Sequence, residues 1–301
     1  MDILRKRLGM WTRLLGPLAA VLASCPAVLA ANRMSVSQEL DAEYSYVGGA
    51  ATRGAGANIG DVDENSADVK YVISPQITKN LLLRFGAEWQ RFSFGVPDHA
   101  PVPDTLQQAS VALGFDYQLA DQWLVRAEVQ PGVYSDFREL RWDDVDAPLI
   151  LGGAYLANDD LQWFLGLRVD ARSQYPVLPA IGVRWKFKDE WTLNLQPPKP
   201  RLEYDVNDNL QFYFGVGLEA GTFRVGEHFG RNRGQPKLDN EVVDFTEVRI
   251  GPGCSWKIAP YLTVEAEVGY MPYRDFDFFD PTISFRSHNA PYGQITCHAR
   301  F

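Results

Sequence analysis

The chain lacks, beyond residue 30, any apolar run approaching the roughly 20 residues that a transmembrane helix needs. Its mean hydropathy is −0.21. A polytopic helical membrane protein is therefore excluded, although a β-barrel is not, because only alternate residues of its strands face lipid. Cysteine is scarce. Of three, Cys25 falls in the N-terminal stretch, leaving Cys254 and Cys297, and neither a CxxC nor a Cys/His metal spacing is present. Only four histidines occur, His99, His228, His288 and His298. Basic residues are outnumbered 29 to 38, so the net charge is −9. A chain with that overall field is not a nucleic-acid binder.

The first 30 residues differ from the rest. Arg5, Lys6, Arg7 and Arg13 precede an apolar stretch from Leu14 to Leu22, and Val28-Leu29-Ala30 ends on the small residue a signal peptidase prefers. This reads as a secretory signal peptide cleaved after Ala30 or Ala31. The alternative is lipoprotein processing at Leu22-Ala23-Ser24-Cys25. Removing residues 1–30 leaves 25 basic and 37 acidic residues, a charge of −12, on a single domain spanning 31–301. Such a surface repels anionic lipid unless divalent cations bridge the two.

What the chain does have is alternation. In the first segment Val36, Gln38, Leu40, Ala42, Tyr44 and Tyr46 share one face, while Ser37, Glu39, Asp41, Glu43 and Ser45 share the other. A period of two with one apolar and one charged face defines a strand between lipid or core and water. Six short polar turns punctuate the repeats, each followed by an aromatic residue or leucine: Lys79-Asn80, Asp121-Gln122, Asp159-Asp160, Asp189-Glu190, Asp208-Asn209 and Ala259-Pro260. The other connections are read as longer loops, at 48–65, 95–104, 135–146, 226–240 and 274–288, with Pro197-Pro198-Lys199-Pro200 joining two short strands. Short turns at one end and long loops at the other predict an all-β fold: a transmembrane antiparallel up-and-down β-barrel of about 14 strands, with 12 to 16 compatible with the pattern. Both termini then fall on the short-turn side. Trp123, Trp163, Trp191 and Tyr261 just after these turns, and Trp185 and Trp256 just before them, are placed at the membrane interface. Cys254 and Cys297 fall two strands apart, about 9–10 Å. That is beyond the roughly 7 Å reach of a disulfide, so two free lipid-facing thiols are expected.

Two stretches carry a family resemblance. Phe301 closes a segment with Ile295, Cys297 and Ala299 in alternation, which resembles the C-terminal signal read by the outer-membrane barrel assembly machinery; Ala299 and Cys297 depart from it, where bulkier residues are usual. The run Trp191-Thr-Leu-Asn-Leu-Gln-Pro-Pro-Lys-Pro-Arg-Leu-Glu-Tyr204, followed by Asn207-Asp208-Asn209-Leu210, is similar to an uncharacterised family of porin-like outer-membrane barrel domains of unknown function. The resemblance covers most of the chain after residue 30. It implies a bacterial outer-membrane location, with membrane lipid and the assembly machinery as partners, and it carries no activity.

Strand parity places fourteen charged residues inside the barrel: Glu39, Asp41, Glu43, Arg84, Glu88, Arg126, Glu128, Arg168, Asp170, Arg172, Arg184, Lys186, Glu265 and Glu267. A barrel of this strand number is about 25–30 Å across, wide enough for water. Its charges either line a passive channel for small polar solutes or ions, or pair across the lumen and leave a non-conducting barrel that acts through its loops. An enzyme is the weakest reading. Ser287-His288-Asn289 has suitable residue types for a phospholipase-like site, but adjacent strand residues face opposite ways. Asp61-Val-Asp63-Glu64-Asn65 opens like a calcium loop, then places Ser66 and Val72 where the loop requires Gly and Glu. Asp143, Asp144 and Asp146 read as solvated carboxylates. No catalytic residue, cofactor or metal is assigned, and the oligomeric state is left open.

Overall fold

The computed structural model describes residues 35–54, 56–279 and 283–301; the segment read as a signal peptide, with Cys25, lies outside them. The chain runs up and down as β1 (Val36–Gly54), β2 (Ala57–Thr78), β3 (Leu81–Gly95), β4 (Thr105–Ala120), β5 (Trp123–Val129, resumed at Gly132–Ser135), β6 (Val145–Asp146 and Leu149–Leu156), β7 (Leu161–Val169), β8 (Val177–Lys186), β9 (Trp191–Asn194), β10 (Arg201–Asn207), β11 (Leu210–Arg224), β12 (Val242–Ala259), β13 (Leu262–Phe278) and β14 (Ile283–Ser287 and Ala290–Arg300). Each strand pairs antiparallel with the next. β14 returns to β1, with Glu39 opposite Arg300 and Val47 opposite Tyr292, so the 14-strand sheet closes into a barrel.

The polar turns work through their side chains. Thr78 Oγ1 accepts the Asn80 N–H at 3.3 Å, and Asn158 Oδ1 accepts that of Asp160 at 2.9 Å. Asn207 Oδ1 accepts both Asn209 N–H at 2.9 Å and Leu210 N–H at 3.0 Å. Such side-chain turns satisfy backbone donors where the ladder ends. Aromatic pairs ring the same end: Trp123 against Tyr155 with centroids 4.8 Å apart, Trp191 against Tyr204 at 4.9 Å, and Tyr261 against the terminal Phe301 at 5.7 Å. Trp123, Trp163, Trp185, Trp256 and Tyr261 are exposed, and so are the apolar residues that follow the same outward parity. An outward apolar band bordered by amphipathic rings is a lipid-facing wall. Cys254 and Cys297 are free thiols on the outward parity, separated by β13.

Two loops read from the sequence are strands. The stretch 48–65 lies mostly in β1 and β2, whose ladder persists to Gly54 opposite Ala57. Gly, Ala and Asp are poor strand formers on average, but pairing and burial override that preference. Within it Ala50, Thr52, Val62 and Glu64 alternate inward and are buried. The calcium-loop-like Asp61–Asn65 is therefore part of a strand. Likewise 274–288 extends β13 to Phe278 and returns as the first segment of β14. Strand parity places Asp170 and Arg172 inside the barrel, but β7 ends at Val169 and both belong to the following loop.

The wall is uneven at one place. The β9–β10 hairpin is short. Leu195 N–H bonds Val183 O at 2.7 Å, while Val216 and Leu218 donate to Pro200 O at 2.9 Å and Pro198 O at 3.0 Å. Above that level Val177–Gly182 of β8 pairs only with β7, and no backbone pairing joins β8 to β11 among the described residues. The barrel narrows there instead. The upper part of β5 lies beside β11, with Ser135 opposite Arg224 and Asp136 N–H bonded to Arg224 O at 3.0 Å. Leu178 faces inward by register with Arg168, yet it is 50% exposed. The loop after β7 closes the gap from above, where Ser173 Oγ and Gln174 N–H bond Asp244 at 3.1 and 2.8 Å. Residue 179 in β8 is a proline. Its nitrogen points to the open side, where no partner strand would receive an N–H.

Candidate functional site: the barrel interior

From the turn end upward, the interior is filled by three layers of side chains. Lowest is a charge network built on Arg84 of β3. Its guanidinium lies 3.6 Å from Glu39 of β1, 3.7 Å from Asp116 of β4 and 3.2 Å from Glu128 of β5. Arg126 clamps Asp116 through two hydrogen bonds of 2.6 and 2.7 Å. Lys70 joins Glu88 at 2.9 Å to Glu128 at 3.3 Å. A second group centres on β8–β10 and the hairpin between them. Lys199 reaches across to Glu43 of β1 at 2.7 Å, Arg201 bridges Glu203 and Glu265 at 3.1 Å each, and Arg184 sits 3.5 Å from Glu203. The Tyr292 hydroxyl donates to Glu267. Nearer the strand ends, Asp41 accepts from Arg300 at 2.8 Å and lies 2.6 Å from His298 Nδ1.

Above these lies a square of four charges. Glu64 of β2 meets Arg249 of β12 at 3.0 Å and Arg274 of β13 at 2.9 Å, and Glu247 of β12 meets each arginine at 2.5 Å. None of the four is more than 1% exposed. Moving such ions out of water costs several kcal/mol apiece. The cost is offset because two carboxylates face two guanidiniums, three of the four contacts being hydrogen bonds, and because Arg274 also donates to Val62 O at 3.3 Å.

The third layer is apolar. Phe92, Phe94, Phe223, Phe245, Phe276 and Phe278 fill the loop end of the lumen together with Leu106 and Val62. Phe245 is central, with ring centroids 4.7 Å from Phe92, 5.5 Å from Phe94 and 5.4 Å from Phe276. The loop 226–240 folds into this plug through Phe229 and Leu238, so it packs inward through part of its length. Ion pairs fasten the loops over it: Asp104 takes both Arg138 and, at 2.8 Å, Arg233, and Arg231 holds Asp239 at 2.5 Å.

The fourteen charges singled out by parity thus separate. Glu39, Arg84, Arg126, Glu128 and Glu88 share the lower network, and Asp41 binds next to it. Glu43, Arg184, Glu265 and Glu267 belong to the second group. Arg168 pairs with Asp170 at 3.0 Å, and Arg172 donates its N–H to Asp170 at 3.1 Å and its side chain to Asp143 O at the loop rim. Lys186 ends β8 half-buried at the turn side. Parity did not single out Lys70, Asp116, Glu203, Glu247 and Arg249, although each sits opposite outward residues on its own strand. Glu64 and Arg274 were hidden in stretches read as loops, and Lys199 in a connection. Ser287 points inward to Thr52 at 2.6 Å, whereas His288 is exposed and bonds Pro272 O at 2.9 Å, so no serine–histidine relay is assembled.

Fold and interior together define an outer-membrane-type β-barrel whose lumen holds a paired charge network and a phenylalanine plug. The chain belongs to the family described as domain of unknown function DUF6268, whose match spans residues 76–296. No curated protein sequence matches it. Similar solved structures include an outer-membrane channel from Pseudomonas putida F1, at 11% identity over 91% of this chain and 100% of that one with a TM-score of 0.46. The TodX monoaromatic hydrocarbon channel in a deltaS2 mutant form is 12% identical over 97% and 98% of the two chains, with a TM-score of 0.42. The NanC porin is 12% identical over 86% and 98%, with a TM-score of 0.40.

Proposed function

We propose that this protein is a transport barrel of the bacterial outer membrane whose axial route is closed, so that it is not an open pore for polar solutes. The observation that carries the reading is the burial of the Glu64–Arg249–Glu247–Arg274 square under the phenylalanine plug. Small polar solutes or ions would cross along the axis only if that square parted, leaving buried charges without partners. The gap between β8 and β11 offers a way in through the wall. In this reading residues 1–30 are the cleaved signal, residues 31–301 form one domain, membrane lipid surrounds the wall, and the assembly machinery reads the strand that ends at Phe301. No catalytic step is assigned.

A second reading, a non-conducting barrel acting through its loops, is favoured by the ion pairs at Asp104 and Asp239, which hold the loop surface in one shape. Proteoliposome swelling tests the first. Vesicles carrying the refolded barrel are expected not to swell in an isotonic five-carbon sugar, whereas swelling at the rate of an open porin would contradict a closed axis.

A further inference from the structure

Beside the gap in the wall, an apolar hollow lies on the inner face of β6–β8. The cavity is bordered by Gly152, Phe164, Gly166 and Ala180, with Arg126 of β5 on one side and Gln196 and Pro197 of the β9–β10 hairpin at its edge. Its emptiness comes from missing side chains. A Cβ on Gly152 would come no nearer than 3.8 Å to Arg126 Cβ, and one on Gly166 would lie 3.4 Å from Ala180 Cβ. Both are ordinary contacts, so neither glycine is required by the backbone; what they leave is space. A smaller interior pocket among Lys199, Arg201, Glu265 and Glu267 is walled by charges, whereas this one is walled mainly by apolar groups.

One group in this hollow is unexplained by the fold. Gln196 is 2% exposed, and neither its Oε1 nor its Nε2 has a hydrogen-bond partner. Leaving a buried amide unpaired is costly, because the group has given up its hydrogen bonds to water without replacing them. Its neighbour Asn194, also buried, donates to Glu203 at 2.9 Å, so the hairpin can satisfy an amide where it does so. A buried donor and acceptor beside an apolar hollow is the arrangement of a small-molecule site, in which few polar groups fix orientation and apolar walls supply contact.

We propose that this cavity binds a small, largely apolar molecule that carries one hydrogen-bonding group, and that Gln196 recognises that group. The molecule enters through the gap between β8 and β11, which is lined at its mouth by Leu178 and backed by Pro179. The proposal deepens the transport reading and rests on it for its route, but the binding site can be tested by itself.

The test is fluorescence titration of the refolded barrel in detergent with 1-naphthol, against naphthalene as the same ring system without the hydroxyl. The wild type is expected to bind both. Gln196→Leu should weaken 1-naphthol by at least about fivefold while leaving naphthalene within about twofold. Gly166→Leu should reduce binding of both by filling the hollow, and Gly152→Leu repeats the test on a second strand should the first variant fail to show the heat-modifiable migration of a folded barrel. Absence of 1-naphthol binding to the wild type, or equal 1-naphthol affinity in folded Gln196→Leu, overturns the site. Sugar-driven swelling with binding intact would instead overturn the closed-axis reading and leave the site standing.

Discussion

Replacing Arg274 by methionine is expected to lower the unfolding free energy of the barrel by about 3–5 kcal/mol, the cost of breaking a buried ion pair from one side. Arg274 is fully buried, and its guanidinium faces Glu64 at 2.9 Å and Glu247 at 2.5 Å. Methionine fills much of the volume but leaves the square with two carboxylates and a single guanidinium, that of Arg249. The remaining charges gain little from water, because they lie beneath the phenylalanine plug and are at most 1% exposed. Arg274 also lies over the Phe94 ring, 5.8 Å from its centroid, so the substitution loosens the contact between the ionic and apolar layers. Combining Arg274→Met with Glu64→Leu restores one carboxylate to one guanidinium and should recover part of the loss, giving a non-zero coupling in a double-mutant cycle. The measurement is the urea midpoint of the heat-modifiable band in lipid vesicles. A single variant within 1 kcal/mol of wild type, on the order of an exposed pair, would mean that the square is hydrated and the lumen open to water.

Phe245→Ala is expected to cost a similar about 3–5 kcal/mol, from lost apolar contact together with the cavity it leaves. Its ring touches those of Phe92, Phe94 and Phe276 at once, and these sit on β3 and β13, which are far apart in sequence. No single neighbour can swing in to fill the space, since each is fixed by its own strand. Phe214→Ala on β11 is the matched comparison. That ring is 56% exposed on the outward face, where lipid would occupy the vacated volume, so the cavity term is absent. The two variants should therefore differ clearly in urea midpoint. Equal losses would place Phe245 in a lipid-like, unpacked environment and remove the plug as a barrier.

The barrel was legible in the sequence because its signals are local. The turns at Lys79-Asn80 and Asp208-Asn209 announce themselves by residue type, and the alternation around Trp163 or Val125 survives in any window. The loop-end halves of β1, β2, β13 and β14 were not legible for the opposite reason. Ala50, Thr52 and Val62 point inward with the same period of two, but glycine, alanine and aspartate between them erase the apolar contrast. What those stretches become depends on partners far along the chain, as Thr52 meeting Ser287 illustrates.

The interior was half legible. Parity sorts a charge to the inner face, as it does for Arg84 and Glu128, but pairing across a lumen is set by barrel diameter and strand stagger, which no single strand encodes. Lys199 is the plainest case: it lies in a proline-rich connection, and its partner Glu43 is 156 residues away. The short β9–β10 hairpin was visible as two brief strands around those prolines. Its consequence, a wall left unpaired between β8 and β11, emerges only once the neighbours' full lengths are known.

Single-channel recording in planar bilayers tests the closed axis most directly. Wild-type barrel, verified as folded by its heat-modifiable migration, is expected to insert without steady porin-sized conductance steps in symmetric potassium chloride. Long-lived steps of that size from the folded wild type would contradict a lumen sealed by the Glu64–Arg249–Glu247–Arg274 square and the phenylalanine plug.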